Sequence, residues 1–102
     1  MRSDIIVVGG GAAGLMAAVG AAKVLAESAE GGTVTVLEKM PKAGRKVMIT
    51  GKGRCNFTNV KAWQDFSAHI RTDVNFVSPA WHNLTPQDVI GLLKANGLPS
   101  MV

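Results

Sequence analysis

The chain begins its hydrophobic pattern with Ile5-Ile6-Val7-Val8, a wholly apolar, β-branched run that stops at glycine. Such a run predicts a strand covered on both faces in a parallel sheet. Residues 12–28 are dominated by Ala, Leu, Met, Lys and Glu and predict a helix. Leu15, Val19 and Ala22, with Ala18 and Leu25, recur at spacings of three and four and predict the side laid on the sheet. Gly31-Gly32 end that helix, and residues 33–37 form a second β-branched strand closed by Glu38. Strand, helix and strand in this order make a βαβ unit, which is almost always right-handed. A further short strand is predicted over residues 46–50.

The last forty residues change period. Residues 62–70 predict a short helix with Trp63, Phe66 and Ile70 on one side, and residues 75–83 a second, with Pro79 near its first turn. A third is marked by Thr85 as N-cap, Pro86 at N1 and Asp88 at N3. Val89, Ile90, Leu92 and Leu93 are its apolar face, and Asn96-Gly97 its end. His69 and His82 lie in or beside these segments and read as surface or capping residues, and Phe76 and Trp81 as packing residues.

The turn between the first strand and the first helix, Gly9-Gly10-Gly11-Ala12-Ala13-Gly14, fits G-x-G-x-x-G. Gly9 allows the tight turn, Gly11 lets a pyrophosphate approach the backbone, and Gly14 lets helix and strand pack closely. The helix N-terminus adds N–H donors and a positive dipole end. Glu38, ending the second strand, is placed to accept hydrogen bonds from both ribose hydroxyls of an adenosine. A 2′-phosphate would be repelled there, which favours FAD or NAD over NADP. The 24 positions from Gly14 to Glu38 exceed the spacing of about 20 in that fingerprint; the surplus is assigned to a longer helix end and the turn at residues 29–32.

Composition sharpens this picture. The 102 residues are 47% hydrophobic and 18% charged, which argues for a buried core and against disorder, while 5% aromatic content and 12 glycines make that core aliphatic and small. The net charge of +4 is unevenly placed: Lys39, Lys42, Arg45, Lys46, Lys52 and Arg54 put six cations in sixteen residues with no acid among them. That block calls for a phosphate-bearing partner. Residues 5–22 carry no charge, but eleven of these eighteen are Gly or Ala and three glycines run together, so neither a membrane span nor a signal peptide is expected. Cys55 is the lone cysteine, which excludes an internal disulfide and argues against a Cys-based zinc site; with His69 and His82 far apart, no metal is expected. The compartment expected is the cytoplasm.

Gly51 and Gly53 around Lys52 raise the question of a phosphate-binding P-loop. The pattern G-x-x-x-x-G-K-[ST] fails twice, because Lys46 holds the first glycine position and Gly53 the Ser/Thr position. What remains is a basic loop rich in backbone donors, placed to cover the same dinucleotide from the other side. A NAD dehydrogenase has no need of so long a loop, whereas a flavoprotein can run it along the pyrophosphate towards the flavin.

The stretches VVGGGAAGLMAA and VLEKMPKAGRKVMITGKGRCNFTN resemble the N-terminal part of the BaiN-like, aminoacetone-oxidase-type family of NAD(P)/FAD-dependent oxidoreductases, whose members are several times longer. The resemblance covers nearly the whole chain and is densest over residues 5–59. It implies an α/β fold: a Rossmann-like βαβ FAD/NAD(P)-binding unit forming the N-terminal part of a larger doubly wound domain, followed by a basic loop and short helices. It implies that Gly11, Ala12, Ala13 and Gly14 face the FAD pyrophosphate, with Gly9 at the turn of the same cofactor site, that Glu38 and Lys39 meet the adenosine end, and that Arg45 and Lys46 flank the phosphates. Gly51, Gly53, Arg54, Cys55, Asn56 and Thr58 would line the loop towards the flavin. The family often has a small residue where Lys52 stands. Cys55 has no resolving partner and reads as a packed or backbone-presenting position.

The chain is thus expected to be a partial FAD-binding domain over 1–102, with the βαβ unit at 4–38, the basic cofactor loop at 39–59 and a helical segment at 60–98. FAD is the expected cofactor, with NAD(P)H as reductant in a full-length enzyme, and no catalytic residue is named. The expected partners are FAD, a small-molecule substrate of unread identity and the remaining C-terminal part of the same protein, with neither nucleic acid nor membrane. Alone, the chain is expected to be inactive and to hold FAD poorly. Three alternatives stay open: a NAD-binding piece of a dehydrogenase, separable by the absence of flavin colour; a nucleic-acid-binding module, disfavoured because no aromatic residue interrupts the basic stretch; and a non-catalytic fragment, separable by the flanking reading frame.

Overall fold

A computed structural model of the chain describes residues 2–49 and 55–101. They fall into two units, Met1–Asn56 and Phe57–Val102. The first holds β1 (Ile5–Val8), α1 (Ala12–Glu27), β2 (Val34–Leu37) and α2 (Arg45–Met48); the second holds α3 (Trp63–Ser67), α4 (Val74–Asn83) and α5 (Pro86–Ala95).

β1 and β2 pair in parallel, with Ile5 opposite Val34 and Val8 opposite Leu37, and α1 is the crossover between them. The start of the pair is pinned by Asp4, whose carboxylate accepts the Thr33 N–H at 2.9 Å and its hydroxyl at 3.3 Å. The chain therefore forms the Rossmann-like βαβ unit of an α/β protein.

α1 approaches the strands most closely at Gly14. A Cβ there would run into the Gly9 carbonyl oxygen and lie 3.5 Å from Val7 Cγ1. The side of α1 laid on the strands includes Leu15, Ala18 and Leu25, as expected, but not Val19 or Ala22. Gly14, Leu15, Met16, Ala18, Ala21 and Leu25 are the half-buried positions, while Val19 is 48% exposed and Ala22 is exposed. Gly14 and Ala21 join this face as small residues beside the larger Leu15, Met16 and Leu25.

α1 shelters one face of β1, where Ile5 and Val7 are half-buried; Ile6 and Val8 on the other are 57% and 84% exposed. The apolar pattern of a doubly covered strand is thus met on one side only among the described residues.

The short strand expected over residues 46–50 is replaced by a single helical turn. Gly44 caps α2 in the left-handed region (φ +70°), and the Met48 N–H closes the turn on the Gly44 carbonyl at 3.0 Å. Lys46 and Met48 interrupt the β-branched residues of that stretch, and the left-handed glycine reverses the chain before a strand forms. Residue 50 lies outside the described residues.

The second unit is organised by aromatic rings. Phe66 of α3 stacks on Trp81 of α4 at 4.4 Å, and Trp63 meets Trp81 at 5.6 Å and the His82 ring edge-on at 5.2 Å. His82 is oriented by Nδ1, 2.8 Å from the Ser78 carbonyl. Two expectations are corrected. α4 starts at Val74 behind an Asp73 N-cap, whose carboxylate accepts the Asn75 N–H at 2.9 Å, so Pro79 lies inside the helix and past its first turn. Phe76 is 83% exposed and packs no core among the described residues, because the buried side of α4 runs through Val77, Ser78 and Trp81.

α5 begins as expected, with a reciprocal capping box: the Asp88 N–H donates to the Thr85 hydroxyl at 3.2 Å and the Thr85 N–H to the Asp88 carboxylate at 2.9 Å. Thr85→Ala should lower stability by about 1 kcal/mol, read as a shift of the urea midpoint at constant slope, whereas Thr85→Ser should leave it nearly unchanged.

Candidate functional site

β1 delivers the chain into a turn that only glycine fits at its first position. Gly9 has φ +101°, and its N–H donates to the Leu37 carbonyl at 2.7 Å, extending the sheet by one bond. Its role is to set the turn, since its donor is already used. Gly11, the N-cap of α1, is extended (φ −79°, ψ −173°), and a Cβ built on it meets nothing within 4 Å. No side chain caps α1 and no acid occupies its first turn. The N–H groups of its first turn, at Ala12, Ala13 and Gly14, thus keep their hydrogen-bonding capacity at the positive end of the helix. Gly11, Ala12 and Ala13 are exposed, and Gly14 is half-buried.

Glu38 follows β2 directly. Its Oε2 accepts the Met40 N–H at 2.9 Å and its Oε1 accepts the Gly10 N–H at 3.0 Å. These two donors, Met40 first and Gly10 second, hold its pKa below the ordinary carboxylate value, so it is ionised at neutral pH. Each oxygen retains further lone-pair capacity for hydroxyl donors.

Gly10 is buried. A Cβ there would stand 3.1 Å from Ala43 Cβ and 3.3 Å from Glu38 Cβ, and its carbonyl accepts the Gly44 N–H at 2.7 Å. Gly10 and Gly44 are not among the residues expected at the site. Their signal in the sequence is a glycine at the first x of G-x-G-x-x-G, where the fingerprint asks for none, and the glycine just ahead of Arg45-Lys46.

Lys39, Lys42, Arg45 and Lys46 are exposed, and Pro41, Lys42, Arg45, Met48 and Ile49 line an open groove. The structure thus brings together the glycine turn, the α1 N-terminus, Glu38 and the first half of the basic loop. Gly51, Lys52, Gly53 and Arg54 lie outside the described residues. Cys55, Asn56 and Thr58 are exposed, with Thr58 in the second unit, and Cys55 is a free thiol that is not packed. Among the described residues, no cluster of three or more His, Cys, Asp or Glu could hold a metal, and no helix is long and apolar enough to cross a membrane.

Comparison with known proteins identifies the family of the fold. The family model described as the HI0933-like protein Rossmann domain matches residues 3–102. The chain belongs to this family. The HI0933-like chain is 35% identical over 96 residues to a ribosomal RNA dihydrouridine synthase of Haemophilus influenzae, covering 94% of this chain and 22% of that protein. It is 32% identical over 97 residues to the protein of the same name in Escherichia coli, covering 95% of this chain and 22% of the relative. A 3-dehydro-bile acid delta(4,6)-reductase of Clostridium scindens is 43% identical over 53 residues, which cover 52% of this chain and 12% of that protein. The HI0933-like chain therefore spans about a fifth of the length of the first two relatives.

Two N–H donors converge on the Glu38 carboxylate, and Gln would offer one of them an NH₂ group in place of an acceptor. Because the folded-state pKa is depressed, the stabilisation is complete above the ordinary value of 4.5 and disappears as pH falls through the lowered value. The Tm difference between wild type and Glu38→Gln should therefore be constant near neutrality and close in acid; a gap that widened on acidification would contradict this geometry.

Proposed function

We propose that the HI0933-like chain is the FAD-binding segment of a flavin-dependent oxidoreductase and holds the adenosine and pyrophosphate of FAD. One observation carries the reading. An ionised Glu38 at the end of β2 stands beside an uncapped helix N-terminus whose leading glycine, Gly11, leaves open the place a Cβ would fill. In this reading Glu38 accepts the ribose hydroxyls, with Lys39 beside it at the adenosine end. The N–H groups of Ala12, Ala13 and Gly14 receive the pyrophosphate, and Arg45 and Lys46 neutralise it. Gly9 supports the turn, and Gly51, Gly53, Arg54, Cys55, Asn56 and Thr58 continue towards the flavin. The proposed division keeps 4–38 as the βαβ unit, 39–59 as the cofactor loop and 60–98 as the helical segment.

Bound there, FAD supplies hydride transfer, and the protein supplies orientation and charge. The relatives narrow the reaction class for the full-length protein. Dihydrouridine is uridine with one ring double bond saturated beside a carbonyl, and a delta(4,6)-reductase acting on a 3-dehydro ring is named for double bonds in line with a ketone. Reduction of a ring carbon–carbon double bond activated by a carbonyl is common to both names. The relatives aligned with nearly the whole chain name an RNA substrate; we assign the basic loop to the dinucleotide and leave contact with any such RNA to other parts of the full-length protein.

Titration of the full-length polypeptide with FAD, with NAD as competitor, tests the cofactor. Glu38→Arg should weaken FAD binding by roughly tenfold or more, and preference for NAD with no retained flavin would favour the dehydrogenase alternative. Mixed single- and double-stranded oligonucleotides should bind the cofactor-loaded protein no more weakly when Lys39 and Lys42 are changed to Ser. A loss of affinity would move the loop to RNA.

A further inference from the structure

We propose that Gly44 is a positioning residue of the cofactor site: in its left-handed conformation it donates its N–H to the Gly10 carbonyl and thereby sets Arg45 and Lys46 against the glycine turn. The proposal rests on the cofactor reading above for its consequence, though not for its geometry.

The Gly44–Gly10 bond, at 2.7 Å, ties two segments 34 positions apart in sequence. Both ends are constrained. Gly10 is buried between Ala43 and Glu38 Cβ atoms and has its N–H on Glu38, so its carbonyl has one fixed direction. Gly44 reaches that carbonyl with φ +70°, a region that L side chains enter at a cost, Asn and Asp least and β-branched residues most. Space is not what demands glycine here, since the nearest atom to a Cβ would be Leu15 Cδ1 at an ordinary 3.7 Å. The demand is conformational. Directly after Gly44 the chain makes the helical turn that carries Arg45 and Lys46, so the angle at Gly44 sets where these two cations stand. Glu38 completes the arrangement by fixing Met40 at the near end of the loop. The loop from residue 38 to residue 44 is thus fastened at both ends to the glycine turn, once through a carboxylate and once through a backbone bond. Cations held in place lose less freedom when phosphate arrives than cations on a free loop.

The test compares Gly44→Val and Gly44→Asn in the full-length polypeptide, with two readouts. The first needs no cofactor: tryptic cleavage after Lys42, Arg45 and Lys46, followed by mass spectrometry, should accelerate in Gly44→Val and stay close to wild type in Gly44→Asn. In the second, Gly44→Val should lose about tenfold in FAD affinity while AMP, which engages mainly the Glu38 end, loses much less; Gly44→Asn should recover most of the FAD affinity. A general loss of structure would lower both ligands together and would not be rescued by Asn. Should Gly44→Val fail to fold, Gly44→Ala against Gly44→Asn makes the same comparison. Unchanged cleavage and unchanged FAD affinity in the Val or Ala variant, or an Asn variant as impaired as Val, would overturn the proposal. If wild type binds no FAD, the cofactor reading falls and the cleavage arm alone decides whether Gly44 fastens the loop.

Discussion

The first unit depends on one residue whose backbone N–H and C=O are both satisfied. Gly10 gives its N–H to Glu38 and its C=O to Gly44, so the turn after β1, the end of β2 and the start of the basic helical turn meet at a single buried residue. A buried amide left without partners is costly, and here both groups are satisfied by elements that must also be correctly placed for the site. Glu38 is central because a carboxylate has two oxygens: one reaches back to the glycine turn, and the other forward to Met40. A neutral amide could not accept from both.

Close approach at Gly14 supplies the second constraint. It draws α1 onto Val7 and the Gly9 carbonyl, and the helix end that follows the glycine turn has Gly11 as N-cap and so no side-chain cap. A capped helix would be more stable by itself; an uncapped one keeps its donors available. Along the same face Leu15, Ala18 and Leu25 turn inward as expected, while Ala21 is half-buried and Val19 and Ala22 stay exposed.

The second unit follows a different logic. Its helices are short and held by local devices, an Asp73 cap, the Thr85–Asp88 box and a cluster of Phe66, Trp63, Trp81 and His82 rings. Pro79 inside α4 removes a backbone donor from the helix, and the ring cluster at its C-terminal half is the tertiary contact that offsets this. Phe76, on the other side of the helix, has no such contact among the described residues.

Features with a local cause were legible in the sequence. The β-branched runs of β1 and β2, the glycine turn, the terminal position of Glu38 and the T-P-x-D start of α5 each express a preference that acts within a few residues, and each forms where its pattern stands. What tertiary structure decided lay in contacts between distant segments. Periodicity placed Leu15, Ala18 and Leu25 on the buried side of α1, but the close approach of Gly14 to Gly9 and Val7, with Val19 and Ala22 left exposed, is a contact between segments that periodicity does not contain. β-propensity over residues 46–49 yielded to a left-handed Gly44 whose partner is 34 residues earlier. Glu38 could be read as an acceptor for a ribose, but not as the brace between Gly10 and Met40. A side chain's type and position are written in the sequence; which backbone donors converge on it is settled only when β1 and β2 are brought side by side.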